Sequence, residues 1–332
     1  MKRATVLGGG GMGTAMAMVL DRGGIDVRLW ARDPARARVM AEDRRNERHL
    51  PGVAIPDSIR ITADPAEAMD AADVLIVAIP TSFLRATLAP LAAAAPADVP
   101  AVSVVKGIEI GTFARPTQIV AEALGPRETA VLTGPSHAEE LARGLPASLV
   151  VAGASPAFRE SARVAFSQPT FRVYSSADAV GAEVAGALKN ILGIAAGICD
   201  GLEIGDNAKS ALLTRGLVEI ARMGVRLGGR HETFYGLAGV GDVVTTCFSP
   251  FGRNREVGRR VGRGETLANV LAGMPNVSEG VPTIKSVHAL AEKLNVEMPI
   301  TAELHQVLFQ DKPPRAAVVD LMTRATKDED EP

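Results

Sequence analysis

Near the start of the chain stands Ala4-Thr5-Val6-Leu7-Gly8-Gly9-Gly10-Gly11-Met12-Gly13, followed directly by Thr14-Ala15-Met16-Ala17-Met18-Val19-Leu20. An apolar, partly β-branched run, a glycine turn and an apolar helical pattern, in that order, specify strand, turn and helix. Gly8 permits the tight turn, Gly10 lets the backbone approach a pyrophosphate, and Gly13 lets the helix pack against the strand. Free backbone N–H groups at the start of that helix then face the anion. A glycine-rich turn alone serves many folds, and four consecutive glycines make a chance match easier. The flanking strand and helix are what point to a dinucleotide.

Working outward from this unit, β-like runs recur between helical patterns at 4–7, 26–30, 73–79, 101–105, 129–133 and 148–151, with shorter candidates at 59–62 and 171–174. Several are continuously apolar, as expected of strands covered on both faces. Alternation of such strands with helices predicts an α/β fold whose N-terminal part is a Rossmann-like, doubly wound, mostly parallel sheet. After about residue 180 the strand signals fade and helical patterns take over at 180–199, 208–227, 234–246, 283–294 and 300–310. We therefore expect a dinucleotide-binding domain over 1–180, an all-helical substrate domain over 181–326 and a frayed, charged tail over 327–332. The charged stretch 32–48 reads as a solvated helix, and the alanine-rich 91–96 as a helix with its end.

Composition narrows the class. With 332 residues, 47% of them apolar, the chain can bury two cores. Its 36 basic and 38 acidic residues nearly cancel, which argues against a nucleic-acid or anionic-membrane surface. Cys199 and Cys247 lie far apart and outside any metal-ligand spacing, so a reducing compartment and two small buried side chains are expected, with no metal. No signal-peptide pattern precedes the first strand, and the longest apolar stretches read as broken by Pro, Gly or charge before spanning length. The expectation is a cytoplasmic protein without membrane anchoring.

In such a sheet ligands lie beyond the carboxyl ends of the strands, and polar residues there carry the functional signal. Arg32 follows the second strand, where an acidic residue would mark NAD. An arginine there suits the 2′-phosphate of NADP, although Asp33 stands beside it. Lys106-Gly107 leaves the 101–105 strand, either as a surface lysine or as an ammonium in the cofactor crevice. In Gly134-Pro135-Ser136-His137, Ser136 with Glu139 forms a capping-box pattern, so its hydroxyl is expected to cap a helix, and His137 reads as structural. Lys189-Asn190 lies within Gly186-Ala187-Leu188-Lys189-Asn190-Ile191-Leu192-Gly193, where a charged lysine among apolar neighbours is hard to explain as packing. It is either a snorkelling side chain or an acid/base whose pKa the site tunes. Finally, Gly239-Val240-Gly241-Asp242, Thr245-Thr246-Cys247 and Gly252-Arg253-Asn254 combine a carboxylate, hydroxyls, a guanidinium and an amide, which suits a small phosphorylated substrate. Asp242 is either a cap or turn residue or a partner for Lys189.

Taken in order, the glycine turn, Lys106-Gly107, Gly134-Pro135-Ser136, Gly186 to Asn190, Asn207-Ala208-Lys209-Ser210-Ala211-Leu212-Leu213-Thr214-Arg215-Gly216, Gly239 to Asp242 and Arg253-Asn254-Arg255 resemble the NAD(P)-dependent glycerol-3-phosphate dehydrogenase family over nearly the whole chain. The resemblance implies Lys189, Lys106 and Asp242 as catalytic residues, with Lys189 the acid/base. It implies cofactor contacts from Gly8, Gly10, Gly11, Met12, Gly13, Arg32, Lys106, Ala138, Arg253, Val277 and Glu279. It places Lys106, Gly134, Ser136, Lys189, Asn190, Asp242, Gly252, Arg253 and Asn254 at the substrate, with Ser136 implied on the cofactor side as well. NADP is the expected cofactor ahead of NAD, the substrate pair is dihydroxyacetone phosphate and sn-glycerol 3-phosphate for glycerophospholipid synthesis, and a homodimer is implied. The sequence departs from the family at Gly9 and Gly11, where larger residues are common. Two rivals remain. A reductase of an unphosphorylated keto acid would waste Arg253-Asn254, and a nucleotide-sensing module would not retain Lys106, Lys189 and Asp242 together.

Overall fold

The computed structural model describes residues 1–274, 278–326 and 328–329. Val277, and Lys327 with 330–332 of the expected tail, lie outside them. The strands are β1 Arg3–Leu7, β2 Asp26–Trp30, β3 Arg45–Asn46, β4 Leu50–Ala54, β5 Arg60–Thr62, β6 Val74–Val77, β7 Ala101–Ser103, β8 Thr129–Thr133, β9 Ala147–Gly153 and β10 Phe171–Ser176. Eight of them form one sheet in the order β10-β9-β8-β7-β6-β1-β2-β5, parallel throughout except for the antiparallel β8–β9 pair. Alternate residues explain why both faces are covered. Ala4 and Val6, Val27 and Leu29, and Val74 and Ile76 pack in one core with Met16 and Val19 of helix Gly11–Arg22. Leu7, Trp30, Leu75 and Val77 pack in the other with Leu84, Leu88 and Ile119.

Strand order reverses around β1, which lies between β2 and β6. Ligands are expected at such a switch point. Here the backbone is tight: Gly8 has φ +128, and a Cβ on it would stand 2.7 Å from the Ala78 carbonyl oxygen, beyond β6. A Cβ on Gly13 would stand 1.8 Å from the Gly8 carbonyl oxygen, so no larger residue lets this helix meet the turn.

Beyond β10 the described chain is helical. Its axis is helix Ala179–Leu202, nearly every residue of which is buried. Contrary to expectation, this helix is long and apolar enough to cross a membrane, but protein encloses it completely, as in the centre of a helical domain. Gly193, Gly197 and Gly201 recur every fourth residue and so share one face. Against that face lies helix Arg253–Gly262: a Cβ on Gly197 would stand 2.0 Å from the Arg255 carbonyl oxygen, and one on Gly258 2.0 Å from that of Ile194. Each glycine costs a helix about 1 kcal/mol relative to alanine. In exchange the two backbones touch, which fixes Asn254 beside Asn190. Buried Glu183 pins the same helix to the sheet domain, accepting from Thr117 N at 2.8 Å, from Thr117 Oγ1 at 2.7 Å and from Arg115.

Several expectations need correction. The 234–246 pattern is not one helix but a 3-10 turn His231–Tyr235, a π turn Leu237–Gly241 and helix Asp242–Phe248, because Gly236, Gly239 and Gly241 interrupt it. The 91–96 stretch holds only the last residue of the short 3-10 helix Ala89–Leu91 and then a turn. The charged 32–48 stretch holds helix Pro34–Asp43 but then enters the unanticipated β3–β4 hairpin. Helices Arg253–Gly262, Leu267–Ala272 and Pro314–Met322 were also not anticipated.

Candidate active site

The carboxyl ends of β7 and β8 deliver Lys106 and Gly134, and helix Ala179–Leu202 brings Lys189 across them. Gly186 makes that approach possible, since a Cβ there would stand 2.8 Å from Thr133 Oγ1 and 3.7 Å from Lys106 Cγ. Asp242 closes the cluster from the first turn of helix Asp242–Phe248. Its Oδ2 accepts from Lys106 Nζ at 2.6 Å and its Oδ1 from Lys189 Nζ at 2.9 Å. Four residues on, and so on the same helix face, Thr246 Oγ1 also accepts from Lys189.

An ammonium has three N–H donors, and counting them separates the two lysines. Lys106 donates to Asp242, to the Gly134 carbonyl at 3.0 Å and to Ser136 Oγ at 3.0 Å, so all three are committed. Lys189 commits two among the described residues, to Asp242 and Thr246. Gly134, at φ +130, turns its carbonyl so that it accepts from both Lys106 and Ser136 Oγ, the latter at 2.8 Å. The Ser136 hydroxyl therefore caps no helix, contrary to expectation, and His137 takes the cap position of helix Ala138–Ala142 without a side-chain bond.

The electrostatics follow from burial. The Lys106, Lys189 and Asp242 side chains are only 12%, 10% and 2% exposed. Burial pushes Lys106 down to about 8, with Asp242 partly offsetting it. Burial alone would raise the Asp242 carboxyl, but the two lysines together outweigh it and hold the group below its ordinary range. Burial raises the carboxyl of Glu279, which accepts from Thr81 N at 3.3 Å. Burial, reinforced by Lys189, lowers the imidazole of His137. With both lysines charged the triad carries one net positive charge, in a site little exposed to solvent.

A second network adjoins it. Asn254 Nδ2 donates to Asn190 Oδ1 at 2.8 Å, while Asn254 Oδ1 accepts from Ser278 Oγ at 2.6 Å and Gly280 N at 3.0 Å. Asn254 thus ties the Glu279 turn to helices Ala179–Leu202 and Arg253–Gly262, and one of its two Nδ2 N–H donors stays uncommitted among the described residues. Gly252 is buried and precedes helix Arg253–Gly262 with no side-chain cap, and Arg253 is exposed at its first position.

The cofactor candidates gather at the glycine turn. No heavy atom lies within 4 Å of a Cβ built on Gly10, whereas one on Gly11 would stand 2.7 Å from the His49 carbonyl oxygen and 3.8 Å from Ala138 Cβ. The β3–β4 hairpin therefore leaves no room for a side chain at Gly11. Met12 opens helix Gly11–Arg22 beside it, and Arg32 is exposed just beyond β2. Asp33 Oδ1 accepts from Ala35 N at 2.9 Å and Arg36 N at 3.3 Å, so that carboxylate caps a helix. A cavity of about 350 Å³ opens next to Thr81, Gly107, Glu279 and Thr283. Around the cleft Thr81 Oγ1, Thr133 Oγ1 and His137 Nε2 are buried without a hydrogen-bond partner among the described residues. An open glycine cradle at one end and orphaned polar atoms at the other fit a dinucleotide laid along the carboxyl edge.

Lys106, Gly134, Ser136, Lys189 and Asp242 are thus bonded together, Asn190 and Asn254 lie in the adjoining network, and Arg32 stands apart, exposed beyond β2. Thr246 was missed as an individual site residue, although its spacing of four from Asp242 was legible. Arg36 and Asn46, which donate to the Gly9 carbonyl at 3.4 and 3.1 Å, were also missed.

Comparison with known proteins gives concordant matches. Residues 3–159 match the family model described as NAD-dependent glycerol-3-phosphate dehydrogenase N-terminus, and residues 178–319 that of its C-terminus. The chain is 45% identical over 330 residues to a glycerol-3-phosphate dehydrogenase [NAD(P)+] of Chlorobium phaeobacteroides, covering 98% of this chain and 99% of the relative. It is 46% identical over 334 residues to one of Geobacillus thermodenitrificans, covering 99% and 97%. The crystal structure of a glycerol-3-phosphate dehydrogenase from Coxiella burnetii superposes with a TM-score of 0.93 at 35% identity, covering 97% of this chain and 99% of that one.

Proposed function

The chain belongs to the NAD-dependent glycerol-3-phosphate dehydrogenase family and is an NAD(P)-dependent oxidoreductase; on that premise we propose that it reduces dihydroxyacetone phosphate reversibly to sn-glycerol 3-phosphate, with Lys189 as general acid and base. The observation that carries this reading is the pair of bonds joining Lys106 and Lys189 to the two oxygens of Asp242. When bound, the nicotinamide supplies the hydride.

Lys189 acts on the ketone oxygen. Two of its N–H groups are held by Asp242 and Thr246, which leaves the third for the substrate carbonyl. As negative charge grows on that oxygen, the ammonium stabilises it and delivers the proton. In the reverse direction the amine takes the proton from the alcohol. Lys106, with its donors committed, serves by positive potential and by holding Asp242 and Ser136 in place, more than by direct donation. Arg253 and the uncapped N–H groups at the start of its helix form the phosphate seat, a standard anion site. Asn254 supports that seat by fixing Asn190 and the Glu279 turn. Binding the remote phosphate fixes the reacting carbon, so binding energy serves orientation.

The remaining cofactor contacts are assigned to Gly8, Gly10, Gly11, Met12, Gly13, Ala138 and Glu279. NADP is preferred over NAD, supported by Arg32 and by the commitment of Asp33 to its helix. The domain division falls near 180, supported by the end of β10 at Ser176 and the helix start at Ala179. The enzyme works as a cytoplasmic homodimer and feeds glycerophospholipid synthesis. The unbridged, buried Cys199 and Cys247 agree with a reducing compartment. Initial rates of dihydroxyacetone phosphate reduction with NADPH and NADH side by side test the function. Turnover with a preference for NADPH is expected, and no oxidation of either cofactor would refute it.

A further inference from the structure

Helix Pro34–Asp43 and the β3–β4 hairpin bring cations to the glycine turn. Arg36, in the first turn of helix Pro34–Asp43, donates from Nη2 to the Gly9 carbonyl at 3.4 Å. Asn46 Nδ2 reaches the same carbonyl at 3.1 Å and Thr14 Oγ1 at 2.8 Å, which seats the β3–β4 hairpin on the turn. That hairpin carries Arg48. Burial lowers the guanidinium pKa of Arg36, and repulsion from Arg48 adds to the effect, while Asp33 opposes it. Asp33 is itself held by two backbone N–H groups. Arg32 is exposed one helical turn before Arg36.

Bringing like charges together where water is partly excluded costs free energy that an anion between them restores. A guanidinium anchored by one nitrogen to a backbone carbonyl still offers further N–H donors in a planar fork, already oriented for a phosphate. We propose that Arg36 is the specificity-determining residue that, with Arg32 and Arg48, takes a phosphate monoester on the adenosine ribose and so selects NADP(H) over NAD(H). This rests on the NADP preference proposed above and names the side chains beyond Arg32 that carry it.

Calorimetric titration of the full-length protein with adenosine 2′,5′-bisphosphate and with adenosine 5′-monophosphate tests it without turnover. The wild type binds the bisphosphate more tightly by about tenfold to a hundredfold, the range of a charge-assisted hydrogen bond. Arg36→Gln removes most of that preference and leaves 5′-monophosphate affinity unchanged, and Arg48→Gln removes part of it. A wild type without preference would overturn the NADP reading and this proposal together. A preference retained in full by Arg36→Gln, or an equal loss of both ligands, would overturn the assignment of Arg36 alone.

Discussion

Replacing Asp242 with Asn removes the one negative charge between two ammonium groups while keeping the side-chain volume. The carboxylate now accepts at 2.6 Å from Lys106 and at 2.9 Å from Lys189. An amide offers one acceptor oxygen, and its NH2 group confronts the other ammonium as donor against donor. An opposite charge at about 4 Å is worth about 4 kcal/mol at an effective dielectric of about 20. Lys106 loses that support for its charged form. Lys106, already down at about 8 with Asp242 present, then sheds its proton at neutral pH. Lys189 loses one of the two groups that aim it. The expected outcome is a fall in kcat of about 10²- to 10³-fold, within the range for a displaced general acid. The cofactor dissociation constant should hold within about twofold, because the glycine turn is untouched. Stopped-flow absorbance at the nicotinamide band gives the first quantity and fluorescence titration the second. A kcat within about threefold of wild type would refute the argument that Asp242 organises the two lysines.

Further consequences can be measured. Gly197→Ala sets a methyl 2.0 Å from the Arg255 carbonyl oxygen. Forcing the helices apart should cost about 1–3 kcal/mol or more and lower the melting temperature by several degrees, and an unchanged transition would show that the backbones do not touch. The pH dependence follows from Lys106. Its charged form supplies the positive potential, so kcat/KM for dihydroxyacetone phosphate should be level below the value of about 8 and fall as pH rises through it. Lys106→Met should lower the plateau and abolish that limb. A limb that persists in the variant belongs to another group.

Most of the fold was legible because both faces of the sheet are buried. Asp26–Trp30 and Thr129–Thr133 have the bounds that their runs suggest, the second ending at Gly134 with its φ of +130. Legibility failed where a distant partner overrides a local pattern. Ser136 and Glu139 satisfy a capping box, but Lys106, 30 residues away in sequence, takes the hydroxyl. In the 234–246 stretch the apolar spacing is helical, yet three glycines admit the π turn that presents Asp242. Helix Arg253–Gly262 was obscured by its charges, although Val257 and Val261, both buried and four apart, were the available signal. Lys189 stood out for the opposite reason: a cation amid Ala, Gly, Leu and Ile has few structural explanations. Its neighbours' roles depend on donor counts, which only three-dimensional contacts supply.

The central claim is that Lys189 provides the proton at the reacting carbonyl, and single-turnover kinetics of Lys189→Ala test it most directly. With saturating NADPH and dihydroxyacetone phosphate, the account predicts cofactor binding like wild type and a hydride-transfer rate lower by about 10²- to 10⁴-fold or more. A variant that oxidises NADPH at close to the wild-type rate would contradict it.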